Sequence, residues 1–183
     1  MEDIRPNIIG YHANTKDKIL NCLANKNLIE YKDTDWLGKG MYFWDNIGNA
    51  HYWKNEKIRK EEGTEIEILQ ANIYIDEVLD LTDTQNLKFI NNLWERFVSG
   101  NLKKDIPQNQ LGKRLDYLFE AFSDKFSYGV IKAYGKYKTE HTTFYSFFKG
   151  SNISIRNKII YSVKKNECIT NYKLYKEEGS SYE

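Results

Sequence analysis

Short apolar runs and two longer helical stripes alternate along the chain. Asn7 to Tyr11 (NIIGY) reads as a strand ending at His12. Asn14 or Thr15 would cap a helix to about Lys26, with Ile19, Leu20 and Leu23 on one face. After a polar return through Asn27 to Thr34, Gly40 to Trp44 forms a compact aromatic strand. A helix is expected from Asn46 or Gly48, charged outward over Ala50 to Glu62 and stopped by Gly63. Glu65 to Ile75 (EIEILQANIYI) is the clearest strand, with a bulge predicted at Gln70-Ala71-Asn72, where the apolar phase changes. Val78 to Leu81 extends it or begins the next strand.

The period then changes from two to 3.6. Leu87, Ile90, Leu93, Trp94 and Phe97 share one helical face, and Leu111, Leu115, Leu118, Phe119 and Phe122 another. Gly100 and Pro107 fall between them, so 84–126 predicts a helical hairpin inserted between strands. Neither stripe can bury its apolar face alone. Strand character returns at Tyr128 to Tyr134, Thr142 to Phe148, Ile159 to Val163 and Cys168 to Tyr175. The polar end, EEGSSYE at 177–183, predicts a flexible tail.

A length of 183 residues suits one domain over 1–183, and 40% apolar residues are too many for general disorder. With 27 basic and 26 acidic side chains, no whole-molecule field draws in nucleic acid. The lysines and arginines between Lys149 and Lys176 read first as solvated strand and loop faces. Cys22 and Cys168 lack metal-ligand spacing and read as small buried hydrophobes of a reducing compartment. No apolar run reaches membrane-spanning length and MEDIRPN has no signal-peptide regions, so the expected location is cytoplasmic, without a membrane partner. His51, Glu140 and His141 have no ligand spacing that points to a metal.

The chemistry concentrates in two places: Tyr11-His12-Ala13, and WLGKGMYFWD from Trp36 to Asp45. Together they resemble the nucleotide-binding half of the ADP-ribosyltransferase fold, in its poly(ADP-ribose) polymerase-like, His-Tyr-Glu branch. The resemblance covers Asn7 to Asp83 well and the last strands loosely, while the helical segment matches nothing in it. It implies an α+β fold, two packed antiparallel-type sheets forming a cleft for NAD+, to which the helical periodicity adds the insertion over 84–126. It further implies cleavage of the nicotinamide–ribose bond, with NAD+ as substrate and no metal.

Carried onto this chain, the resemblance gives His12 the adenosine-side ribose and gives the main chain of Ala13 the nicotinamide carboxamide. Alanine stands there where the family usually has glycine, which is compatible if no positive φ is required. Tyr42 would stack on the nicotinamide ring, as offset stacking in a dry slot favours. Gly38 and Gly40 would permit the close backbone approach a nucleotide pocket needs. Tyr52 and Trp53 compete for the opposite face of the ring, with Trp53 preferred.

The third element departs from the pattern. The family's late-strand glutamate would stabilise an oxocarbenium-like sugar, but Asn157 to Val163 contains no acid and Lys158 stands about where it is expected. A lysine beside a developing cation opposes the reaction. Glu140, in the TEHTT loop, is the best substitute acid. Failing it, the enzyme works without that glutamate, or the protein is inactive. Three functions follow: a small NAD+-dependent mono-ADP-ribosyltransferase, an NAD- or ADP-ribose-binding pseudoenzyme, and an interaction module whose glycine strand is only a turn. By analogy with compact bacterial toxins and anti-phage effectors, the first would modify a protein or nucleic-acid acceptor and be held by an antitoxin. For a nucleic-acid acceptor, the basic and aromatic stretch near Thr143 to Lys165 is the surface to test.

Overall fold

The computed structural model describes residues 5–31, 35–100, 110–123, 126–135 and 158–177. In chain order these form β1 (Asn7–Thr15), α1 (Lys16–Asn25), β2 (Met41–Trp44), α2 (Ile47–Lys60), β3 (Ile66–Tyr74) and β4 (Val78–Asp80). They continue with α3 (Thr84–Gly100), α4 (Leu111–Ala121), β5 (Val130–Gly135), β6 (Lys158–Val163) and β7 (Ile169–Leu174). The predicted strand at Thr142 to Phe148 lies outside the described residues, as do 178–183 of the tail.

The seven strands form one open sheet in the order β4-β5-β6-β2-β1-β3-β7, antiparallel except for the parallel pair β4–β5. This corrects the expected two sheets. The physical reason is β2, which pairs with β6 along its whole length on one edge and meets β1 on the other. The β1–β2 join is nevertheless slight, a single register pair, Tyr11↔Trp44. On its other edge β1 is paired with β3 from Asn7↔Tyr74 to Thr15↔Ile66. The described strands thus form one sheet with a seam between β1 and β2.

Two apolar clusters, one on each face, explain the sheet's sequence pattern. Met41 and Phe43 of β2 pack with Ile19 and Cys22 of α1, whereas Tyr42 and Trp44 belong with Ala50 of α2, Ile90 and Trp94 of α3, and Leu115 and Leu118 of α4. In β3, Ile66 and Ile68 serve one cluster and Leu69, Ala71 and Ile73 the other. The phase change in EIEILQANIYI therefore records burial on both faces. The ladder irregularity between Gln70 and Asn72 occurs on the β7 edge, while the β1 register runs through unbroken.

Helix starts follow local chemistry. The Asn46 side chain accepts from the Asn49 N–H at 2.9 Å, capping α2 three residues earlier than the charged stretch alone indicates. Thr15 precedes α1 but makes no side-chain cap bond. The α3 and α4 stripes are narrower than expected. Leu87 and Leu111 are 44% and 43% exposed, because only Ile90, Trp94, Leu115 and Leu118 reach the sheet side fully. Both helices lie in the connection between the parallel strands β4 and β5. Parallel neighbours cannot be joined by a tight turn and require such a crossover. Among the described residues no helix is long and apolar enough to cross a membrane. Cys22 and Cys168 are buried free thiols.

Candidate functional site

The strands carrying His12, Tyr42 and Lys158 are neighbours, in the order β1-β2-β6. Past the Tyr11↔Trp44 pair the β1–β2 ladder gives way to a side chain. His12 Nδ1 lies 2.7 Å from the Tyr42 carbonyl oxygen. A carbonyl only accepts, so Nδ1 carries the proton and Nε2 the lone pair. Nε2 in turn accepts from the Asn14 amide at 3.1 Å. Asn14 Oδ1 takes the Thr15 N–H at 2.9 Å and lies 3.5 Å from Lys57 Nζ. Burial drives the His12 pKa down to about 4; Lys57 and Lys18 push the same way, and the bond to the Tyr42 carbonyl resists. At neutral pH His12 is an uncharged, oriented imidazole.

Tyr42 is pinned at its far end. Its hydroxyl donates to the Gly38 carbonyl at 2.5 Å and accepts from the Leu37 N–H at 3.1 Å. The turn that reaches back to this hydroxyl has positive φ at both glycines, +75° at Gly38 and +152° at Gly40. A Cβ on Gly40 would fall 2.5 Å from Ser162 Oγ and 2.8 Å from the Val163 carbonyl. On Gly38 it would run into Asp116 and Gly112 of α4. What comes close to these glycines in this structure is the protein itself, β6 and α4. Ala13 keeps a negative φ within β1, opposite Ile68, so the substitution for glycine carries no backbone strain there.

Of the two candidates on α2, Trp53 is the one drawn into the core. It stacks on Trp44 (ring centroids 5.6 Å, 14° between planes), and Trp36 approaches both rings edge-on. Its indole N–H is buried and has no hydrogen-bond partner among the described residues. Tyr52 instead lies under Lys158, whose Nζ is 5.1 Å from the ring centroid. Burial pushes Lys158 down to about 8, against the pull of Asp45. Below that pH it remains a cation. Glu140 and His141 lie outside the described residues. His51 pairs with Glu177 at 3.3 Å, and no cluster of three or more His, Cys, Asp or Glu side chains occurs among the described residues.

Two residues that pattern reasoning passed over hold the glycine turn. Asp116 Oδ1 accepts the Lys39 N–H at 2.9 Å, and Lys164 Nζ donates to the Leu37 carbonyl at 2.6 Å and to the Lys39 carbonyl. Burial lowers Lys164 to about 8, with Asp116 acting in the opposite direction. Lys164 is therefore not the solvated cation its basic stretch suggested. The sequence signal for it was weak, a lysine directly after the apolar run of β6. Asp116 gave none, since an acid on an amphipathic helix is ordinary. Neither protein-family models, nor curated proteins, nor solved structures yield a match to this chain.

Proposed function

We propose that this chain is an NAD+-dependent mono-ADP-ribosyltransferase, with the nicotinamide end of its substrate bound at the β1–β2 seam. The observation that carries this is the bond from the His12 imidazole to the Tyr42 carbonyl, 2.7 Å long, which joins two motifs far apart in sequence. A neutral histidine of fixed tautomer suits a ribose hydroxyl, which can donate to Nε2 in place of the Asn14 amide. The ring of Tyr42, held at its hydroxyl, and the indole of Trp53, with its unpartnered N–H, are the aromatic surfaces for a flat, electron-poor ring. The main chain of Ala13 would hold the carboxamide.

The reaction breaks the bond between the ribose C1′ and the nicotinamide nitrogen. The bonding pair leaves with nicotinamide, and a nucleophile of the acceptor forms the new bond to C1′ and loses its proton. The protein's contribution is orientation and charge placement. Glu140 is the acid we assign to the developing positive charge. A protein side chain or nucleic-acid base is the acceptor, and an antitoxin is the expected regulator of a cytoplasmic enzyme of this kind.

A second function, NAD+ or ADP-ribose binding without cleavage, is favoured by one observation. Lys158 opens β6, the neighbour of the Tyr42 strand, and carries positive charge at neutral pH. The deciding experiment is nicotinamide release from NAD+ by the purified protein, with and without bacterial lysate. Release only with lysate identifies a transferase; release without it identifies hydrolysis or self-modification. Saturable NAD+ binding without release would select the second function, and neither binding nor release would remove both.

A further inference from the structure

We infer that Asp116 and Lys164 are positioning residues for Tyr42, acting through the glycine turn and thereby coupling α4 to the substrate seam; this rests on the function proposed above. Between Leu37 and Lys39 the turn's backbone groups fall to three side chains. Tyr42 takes the Leu37 N–H and the Gly38 carbonyl, Lys164 takes the Leu37 and Lys39 carbonyls, and Asp116 takes the Lys39 N–H. Gly40 is tied separately, by paired main-chain bonds to Tyr31 at 3.0 and 3.1 Å. The Tyr42 hydroxyl thus rests on a turn whose other supports, Asp116 of α4 and Lys164 just after β6, are distant in sequence. Charged partners make strong hydrogen bonds, and a side chain buried for that purpose has few alternatives.

Packing makes the coupling directional. Gly38 is so closely covered by α4 that any side chain there would meet Asp116 and the Gly112 carbonyl. A shift of α4 therefore moves the turn or empties its contacts. Lys164 also lies 5.7 Å from the centroid of Phe119, one turn along α4 from Asp116, so α4 and the residue after β6 grip the turn together. A cavity of about 210 Å³, lined in part by Gly40, Asp116 and Lys164, opens beside this joint. The helical pair of the crossover is in this way more than cover for the sheet.

The test uses the full chain, with Asp116→Asn, Lys164→Met and the charge-keeping Lys164→Arg, followed by amide hydrogen exchange and NAD+ calorimetry. Asp116→Asn and Lys164→Met are expected to speed exchange at Leu37 and Lys39 about tenfold, with β1 and β3 amides unchanged, consistent with loss of one charge-assisted bond. NAD+ affinity should weaken about tenfold, with kcat at saturation changed much less and with partial recovery in Lys164→Arg. Unchanged exchange in the turn would overturn the inference. So would faster exchange with NAD+ affinity intact, since the turn would then not position Tyr42. If the unmodified chain itself binds no NAD+, the proposed function falls and this inference with it, whereas a failure confined to the variants touches the inference alone.

Discussion

The two edges of β1 are built by different means. Toward β3 the backbone pairs from Asn7 to Thr15, and the residues on that edge contribute through a repeated ladder. Toward β2 there is one register pair, and then the His12 side chain takes the place of the next rung. A ladder distributes its stability over many bonds and tolerates change at any one of them. A seam closed by a side chain concentrates the same duty in one imidazole, whose protonation and neighbours then matter. That difference separates scaffold from candidate site within a single strand.

The largest expected effect falls on the seam. His12→Ala and Tyr42→Ala should each abolish nicotinamide release, and full activity in both would remove the site assignment. Since the Tyr42 hydroxyl also holds the turn, Tyr42→Phe is the necessary companion: it keeps the ring and loses only the two hydroxyl bonds. Acid should act next. The folded pKa of His12, about 4, is below the ordinary 6.5, so unfolding takes up a proton between those values. Stability is then lost as pH falls from 6.5 to 4, by about 3 kcal/mol from this group, and levels off below. Denaturant midpoints of the native chain and His12→Gln, compared across that range, measure it; parallel curves would show that His12 is not buried neutral.

Gly40, on the other edge of β2, and Gly63, in the turn between α2 and β3, sharpen the contrast. Gly40→Ala meets positive φ together with Ser162 and the Val163 carbonyl and should cost about 3 kcal/mol. Gly63→Ala has φ +78° but nothing within 4 Å and should cost only about 1 kcal/mol. Thermal melts of the two variants test the ordering. The smallest effect belongs to the ladder edge. Lys16 and Glu65 pair at 2.9 Å where β1 ends, yet both are well exposed, so Glu65→Gln should leave the melting midpoint where it is.

Apolar period made most elements legible, because burial on a sheet or helix face repeats at the element's own spacing. The aromatic strand, the long β3 strand and both crossover helices were readable for that reason. Strand order was not. A strand of four residues cannot announce that it will bridge two halves, and β2 does so through partners on either side. Polar supports were equally silent. Asn14, which continues the β1 ladder opposite Glu67, also serves the imidazole, and Asp116 and Lys164 serve a turn whose own residues are conspicuous. Within the motif, spacing separated Trp53 from Tyr52 only by preference; stacking on Trp44 now distinguishes their surroundings.

The position of β2 between β1 and β6 also has a consequence for synthesis. As the chain leaves the ribosome, β1, β2 and β3 emerge before β6, and the β1 pairings with both can form at once. The other edge of β2, with Met41, Phe43 and Trp44 on its two apolar faces, stays open until β6, far along the chain, has been made. An unpaired apolar strand edge invites association with other chains. Lys164 emerges with β6, so the glycine turn acquires its clasp only then. A chain cut before β6 would thus carry the Tyr42 motif without the partners that organise it.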